Sequence, residues 1–436
     1  MYEDLIESLN NKEQIPKKIK KLKFWESGGI IQLVIDMKII NRKDYIDKLI
    51  ALKNKPDIKI ITGVRRAGKS VLLNEFSKYI LSIEKDANII RINFSLLVFD
   101  ELKDFKKLNS YIRDKYIEGV NNYVFIDEVQ MCPKFELAIN DLYETHDFDI
   151  YITGSNAFLL SSDLATLFTG RYFELEVFPF SFQEFCEYYN LFDDSKALEK
   201  YVKYGGFAGS YVYENDEDKM KYISNVLNVV VLKDIMKKNG VTDVVAMDNI
   251  LSFLLDNISN LTTANKVSSR LNSDGVSIDH KTVGNYISYL CSGYVFHKIK
   301  RYDIKGSLYL QTNEKYYCID QSFRLAKLGT RYFDFGRIYE NIVAIELLRR
   351  GYEVYVGKLY QKEIDFVAIK GNDKIYIQVA DNIGNPETLE RELSPLKAIR
   401  ENYTKIILAN TKHFEYDISG IKIIDLSSWL LDNKIN

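Results

Sequence analysis

The sequence predicts an α/β protein whose core is a mainly parallel sheet. Three features predict it. Apolar β-forming runs alternate with helical patterns from about residue 58 onward. The loop between the first such run and its helix gathers Gly63, Arg65, Arg66, Gly68, Lys69 and Ser70. A later apolar run ends in Asp127-Glu128. Strands separated by helices require crossover connections, which are right-handed and leave the strands parallel.

The elements follow in order. Tyr45, Leu49 and Leu52 recur at helical spacing over 43–54. "IKIIT" is a buried strand, and "KSVLLNEFSKYILSI" a helix with Val71, Leu72, Phe76 and Ile80 on its apolar side. "NIIRINF" (88–94), "YVFIDEV" (123–129) and "FDIYITGS" (148–155) are the next strands, with helices over "LNSYIRDKYIEG" and "KFELAINDLYE" between them. "RYFELEVFPFSFQEF" adds a strand and a turn into a helix, and 183–240 is helical throughout. From about 245 to 330, three helices precede strands around a Lys-Gly turn at 305–306, the pattern of a winged helix. From about 334, a helix precedes "EVYVGKLY", "EIDFVAIK", "KIYIQVA", a further helix, "TKIILAN" and "IKIIDLSSWLL", a second and smaller α/β unit. The expected domains are an extension over 1–36, a core over 37–182, a helical lid over 183–240, the winged helix over 241–332 and the small α/β domain over 333–436.

Composition narrows the class. The chain of 436 residues is 46% hydrophobic and 28% charged, as for a globular protein with sizeable cores. A net charge of -2 excludes a general polyanion binder, so any nucleic-acid contact needs a local basic patch. Cys132, Cys186, Cys291 and Cys318 are scattered without metal-ligand spacing, and with only four histidines they read as free thiols in a reducing cytosol. The apolar run after the basic "KKIKKLK" is broken by Gly28 and Gly29 and is too short to span a bilayer, so no membrane role is expected.

The chemistry lies in the basic loop. Gly63 to Ser70 fits G-x-x-x-x-G-K-[ST] between a strand and a helix. The glycines let the backbone of Arg65, Arg66, Ala67 and Gly68 curl so that N–H groups point inward at phosphates. The following helix, opening at Lys69, Ser70 and Val71, adds its positive end. Lys69 supplies a mobile charge for the β- and γ-oxygens, and Ser70 a hydroxyl for Mg²⁺. Arg65 and Arg66 have two roles open to them, phosphate contact or pairing with acids. Asp127, at the end of its strand, is placed to hold the Mg²⁺ of bound ATP, and Glu128 to polarise the attacking water. Ser155 or Asn156, after the next strand, is a candidate to orient that water. Arg171 is a candidate cation for the γ-phosphate, from its own chain or from a neighbouring subunit of an oligomer.

The segments "ITGVRRAGKS", "FIDEVQ", "YITGSNA", "GRYFELEVFPFSFQEF" and "KYGGFAGSY" together resemble bacterial and archaeal AAA-type ATPases. These carry a C-terminal region of unknown function that looks like a degenerate restriction-endonuclease fold. The resemblance implies a P-loop NTPase core with a helical lid, a winged helix and the nuclease-like end, and ATP with Mg²⁺ as ligands. It leaves open whether the machine works on DNA, on a protein partner as a slow nucleotide switch, or as an ATP-driven nuclease. Related switch ATPases place a proline near the adenine where this chain has Ala208, after Gly205-Gly206-Phe207. The nuclease resemblance implies a metal between Glu340 and Asp365, but Gln378 and Ala380 replace the remaining carboxylate and the lysine, so an inactive centre is expected. The expected recognition helix offers Lys281, Thr282, Asn285 and Tyr286, and Lys298, Lys300, Arg301 and Lys305 follow. These cations have two readings, phosphate contact or the exposed faces of a packing module.

Overall fold

The computed structural model of the protein describes residues 38–154, 167–191, 195–306, 308–330, 334–413 and 415–432. The chain divides into two compact units, Met1–Asn41 and Arg42–Asn436. The extension expected over 1–36 lies outside the described residues. The second unit is described below.

It opens with α1 (Lys43–Leu52), β1 (Ile58–Thr62), α2 (Lys69–Ile83), β2 (Asn88–Asn93), α3 (Phe105–Arg113), β3 (Asn122–Asp127), α4 (Phe135–Thr145), β4 (Phe148–Thr153) and β5 (Tyr172–Glu176). The five strands are parallel, in the order β2-β3-β4-β1-β5. This is the parallel-sheet core that the sequence predicts. Every residue of β1 and β3 is buried, because helices cover both faces. On one face Ile60, Ile92, Val124, Ile126 and Ile152 meet Leu108, Ile112, Ile139 and Leu142 from α3 and α4. On the other, Phe76 of α2 lies 5.4 Å from the Tyr151 ring, which stacks at 4.9 Å on Phe125. Each such side chain contributes roughly 1.5–3 kcal/mol by leaving water. Lys59 interrupts the apolar run of β1. It stays buried because its ammonium lies 2.5 Å from Asp149 on β4.

The helix expected over 108–119 starts earlier and stops at Arg113. Asp104 accepts from the N–H groups of Lys106 and Lys107 and so sets the start, a cap that the apolar spacing did not reveal. Gly119, with φ +83°, lies in the turn before β3.

α5 (Phe182–Tyr189), α6 (Ser195–Tyr204) and α7 (Asp216–Val229) follow, and α7 continues as a seven-residue π-helix, Val230–Met236. The turn Gly205-Gly206-Phe207 is a tight joint. A Cβ on Gly206 would stand 2.2 Å from the Phe180 carbonyl oxygen, and one on Gly205 1.9 Å from Asp320 Oδ1. Gly206 N–H donates to Asp320 at 2.6 Å, and Phe180 N–H to the Gly206 carbonyl at 2.8 Å. Both glycines are therefore required by packing of this turn against the core and against Asp320. Ala208 then opens a single 3₁₀ turn.

α8 (Val244–Asp256), β6 (Leu261–Thr262), α9 (Ala264–Ser273), α10 (His280–Ser292), β7 (Phe296–Asp303) and β8 (Leu308–Cys318) come next. Here β8 pairs antiparallel with both β6 and β7. Then come α11 (Ser322–Leu328), α12 (Phe335–Arg349), β9 (Glu353–Leu359), β10 (Lys362–Lys370), β11 (Asp373–Ala380), α13 (Pro386–Lys397), β12 (Thr404–Ala409), β13 (Tyr416–Ile418), β14 (Ile421–Asp425) and α14 (Leu426–Leu431). One nine-stranded sheet, β13-β14-β12-β11-β10-β9-β7-β8-β6, contains all of these strands. Its continuity comes from β7 and β9, which pair in parallel from Arg301↔Val356 to Asp303↔Lys358. The boundary expected at 332/333 is thus bridged by backbone hydrogen bonds. No described helix is long and apolar enough to cross a membrane.

Candidate functional site

Strand register brings the expected residues to one edge of the parallel sheet. Ile61 is opposite Thr153, Thr62 opposite Glu176, and Asn93 opposite Asp127, so the C-terminal ends of all five strands line up. The loop after β1 opens there. Gly63 has φ +127°, and a Cβ on it would stand 2.1 Å from the Val177 carbonyl oxygen, so only glycine fits. Arg66 and Gly68 also have positive φ, +70° and +98°, which curls the loop onto the N-terminus of α2. Lys69 folds back across this curl and donates to the carbonyl oxygens of Gly63 at 2.7 Å and Val64 at 3.2 Å. Burial pushes its ammonium down to about 8, while the nearby Glu128 and Asp127 act in the opposite direction. Arg66, Ser70 and Val71 are exposed at the mouth of the loop, and Ala67 is buried beneath it.

β4 stands between β1 and β3, which sets the phosphate loop two strand spacings, about 10 Å, from Asp127. Thr153 organises the two acids: its hydroxyl donates to Asp127 Oδ1 and accepts from the Glu128 N–H at 3.2 Å. Glu128 takes a left-handed conformation, φ +57°, and its carboxylate accepts from the Gln130 side chain.

Three further ties reach the loop from outside the core sheet. Arg65 forms a bidentate pair with Asp234, at 2.7 and 2.9 Å, and Asp234 lies in the π-helical segment. Arg42 is buried; it donates to the carbonyl oxygens of Ala67 at 3.0 Å and Phe178 at 2.9 Å and pairs with Glu184 at 2.7 Å. Tyr294, in the turn between α10 and β7, donates at 2.9 Å to Glu174, which also accepts from Thr62 at the base of the loop. Beside it, His297 lies 3.2 Å from Glu176 and stacks on Phe178. Arg349 of α12 reaches the Pro179 carbonyl oxygen at 3.1 Å. The turn 178–180 is therefore held from the loop side by Arg42 and from the C-terminal region by Arg349.

One sequence candidate, Arg171, stands apart from the loop. Arg171 precedes β5, and its carbonyl accepts from Ile58 N–H at the start of β1, the edge opposite the loop. The length of β1 separates it from the loop, on the order of 15 Å. Its guanidinium pairs with Glu144 and lies over the Tyr143 ring. Contact with the γ-phosphate of its own chain is therefore excluded. Ser155 and Asn156 lie outside the described residues. Residues that sequence reasoning passed over include Thr153, Asp234, Arg42, Glu174 and Tyr294. Only Glu184 carried a local signal, since Ser181-Phe-Gln-Glu184 spells a capping box, and both of its reciprocal bonds form.

Comparison with known proteins places these features in a family. The AAA domain matches residues 55–186, and a domain of unknown function, DUF8612, matches 195–333. A Haemophilus influenzae protein described as uncharacterized is 38% identical over 399 residues, covering 90% of this chain and 99% of its own. An uncharacterized Methanocaldococcus jannaschii protein is 27% identical over 415 residues, 90% of this chain and 89% of its own. Among solved structures, a Walker-type ATPase of Pyrococcus abyssi aligns with a TM-score of 0.46 at 16% identity, covering 66% of this chain and 96% of its own. The AAA-domain match lies over the phosphate loop and the Asp127-Glu128 strand, and by its 38% identity over 90% of its length the chain belongs to the family of the Haemophilus influenzae protein.

Proposed function

We propose that the protein is a Mg²⁺-dependent ATPase that passes its nucleotide state to a winged helix and a C-terminal α/β domain, and that the winged helix works on DNA. The observation that carries this reading is the Arg65–Asp234 pair, which ties a residue of the phosphate loop to the π-helix that leads into α8. In the proposed cycle the loop N–H groups and Lys69 take the ATP phosphates, Ser70 and Asp127 hold Mg²⁺, and Glu128 accepts the proton of the attacking water. Lys69 then leaves the Gly63 and Val64 carbonyls. Arg65 exchanges Asp234 for phosphate, and the freed π-helix and the Tyr294 contact shift α8–α10. π-helical runs are rare and frequently fall at functional sites, which suits a segment with two arrangements.

Three helices with a hairpin whose second strand also pairs with β6 support the winged-helix reading. Within it, Asp279 caps α10 through the N–H groups of Lys281 and Thr282, so a phosphate is not favoured at that helix end. Phosphate contact falls instead to exposed side chains, Lys281 and Asn285 on α10 and Lys300 on β7. Lys298 is already paired with Glu314 at 3.2 Å, and Lys305 lies over the Tyr360 ring. ATP turnover measured with and without duplex and single-stranded DNA tests the reading, and DNA should raise the rate. Lys281→Ala with Lys300→Ala should weaken binding and flatten its salt dependence, by about one unit of log–log slope per lost phosphate contact. Turnover indifferent to DNA would favour a switch acting on a protein partner.

Arg171, facing away from its own loop, is assigned to the γ-phosphate of a neighbouring copy in an ATP-bound oligomer. Arg171→Ala should lower turnover but not binding, and mixing it with Lys69→Ala protein should restore part of the rate. A mixture no more active than its components rules this assignment out.

A further inference from the structure

The nuclease-like resemblance of the C-terminal domain implies a divalent metal between Glu340 and Asp365, and the residues present do not fit one. Glu340 Oε1 accepts from Lys315 Nζ at 2.9 Å and from the Tyr317 hydroxyl at 2.6 Å. The same ammonium lies 2.8 Å from Glu363. Asp365 Oδ2 accepts from the Val379 N–H at 2.8 Å. Gln378 uses both ends of its amide, accepting from the Asp365 N–H at 2.7 Å and donating to Glu392 at 2.9 Å. One oxygen of each carboxylate, Glu340 Oε1 and Asp365 Oδ2, is thus engaged by protein donors, and the Gln378 amide is used at both ends. No cluster of three or more His, Cys, Asp or Glu among the described residues is arranged to hold a metal ion.

We infer that this centre has exchanged its metal for a tethered cation, the Lys315 ammonium, which locks the β7–β8 hairpin to the C-terminal fold. Lys315 does not come from the C-terminal domain. It sits on β8, opposite Ile299 of β7 and Leu261 of β6, and Tyr317 follows at the next same-face position. Its acids come from α12 (Glu340) and β10 (Glu363). The lysine side chain is only 4% exposed. Its ammonium stands between two carboxylates, 2.9 Å from Glu340 and 2.8 Å from Glu363. An ammonium in this position donates to the carboxylates with one charge where a divalent ion would bring two, and it offers no open coordination position and no metal-bound water, so it cannot activate a nucleophile. What it offers is position. A buried ion pair with an added hydroxyl donor fixes one geometry between its two elements. Together with the β7–β9 pairing, it makes the hairpin and the C-terminal domain a single body. The DNA-facing surface and the nuclease-like fold then move together when the nucleotide changes, which rests on the function proposed above, whereas the cation exchange does not.

The test uses the full chain without nucleotide. The parental protein should bind no Mn²⁺ at this centre by electron paramagnetic resonance, and Mn²⁺ should leave its melting midpoint unchanged. Lys315→Met keeps the alkyl volume and removes the charge. It should lower the midpoint by on the order of 5–10 °C. Millimolar Mn²⁺ should recover at least half of that loss, and should recover none in Lys315→Met with Asp365→Asn. Failure of Mn²⁺ to restore the folded Lys315→Met protein overturns the inference. If that variant does not fold, the parental protein decides: Mn²⁺ binding, or plasmid cleavage with Mg²⁺ or Mn²⁺, that disappears in Asp365→Asn also overturns it, and the absence of both supports it. ATP turnover is unaffected by any of these outcomes, so failure here is distinguishable from failure of the ATPase reading.

Discussion

Glu128→Gln should still bind ATP but lose turnover by on the order of 10²–10⁴-fold, the usual contribution of a positioned general base. The amide is nearly the same size and can still accept from Gln130, so the left-handed turn at Glu128 and the Thr153 bridge to Asp127 stay in place. What is lost is the ability to take a proton from water. Lys69→Ala should fail earlier, at binding, because the loop keeps its curl but has no mobile charge for the β- and γ-oxygens. Steady-state turnover and the affinity for a fluorescent ATP analogue separate the two defects. Parental turnover in Glu128→Gln would remove Glu128 from the mechanism, and parental affinity in Lys69→Ala would remove the loop.

The parts of this site that are local in sequence were legible there. Gly63, Gly68 and Lys69 are read from one octapeptide, because a strand, a curl needing positive φ and a helix start are contiguous. Asp127-Glu128 is read from the end of one apolar strand. The ties between segments were not legible, since nothing near Asp234 marks it as the partner of Arg65, 169 residues away. Thr153 reads as an ordinary strand end until the register sets it beside Asp127. The edge that Arg171 occupies was hidden for the same reason: a Gly-Arg before a strand does not say at which edge of the sheet it lies, and parallel pairing of β5 with β1 puts it opposite the loop. The sheet joining the hairpin to the C-terminal domain was hidden because β7 and β9 are separated by three further elements. The Gly205-Gly206 turn was legible as a turn, but its reason, the close approach of Phe180 and Asp320, is tertiary.

Arg42→Ala should be the most damaging substitution outside the loop, lowering stability by about 3–5 kcal/mol, because it strands a buried carboxylate. Arg42 is not exposed on any working surface; its role is to join the Ala67 carbonyl under the phosphate loop to the Phe178 carbonyl and to Glu184 of α5. Burial alone would raise the Glu184 carboxyl above its ordinary value. The Arg42 charge and hydrogen bonds, helped by the Arg349 charge, overcome burial and hold it below that value. In the parental protein this depressed pKa stabilises the fold above the unfolded value of about 4.3, and the contribution is lost as pH falls through the lower folded value. In Arg42→Ala burial dominates, the carboxyl's pKa rises, and its ionised form is penalised at neutral pH. Acid then relieves the variant, while the parent keeps this contribution until pH falls below about 4.3, so the stability gap between them should narrow as pH falls from 7 toward 5, as urea unfolding at each pH can measure. Adding Glu184→Gln to Arg42→Ala removes the stranded charge and should recover more than half of the loss at pH 7, but it leaves the Ala67 carbonyl without its partner. Nucleotide affinity should therefore stay reduced in the double variant even where stability returns. If the double variant is as unstable as Arg42→Ala, or if the gap is flat with pH, the cost lies in lost packing against Tyr45 and Phe180 rather than in the charge.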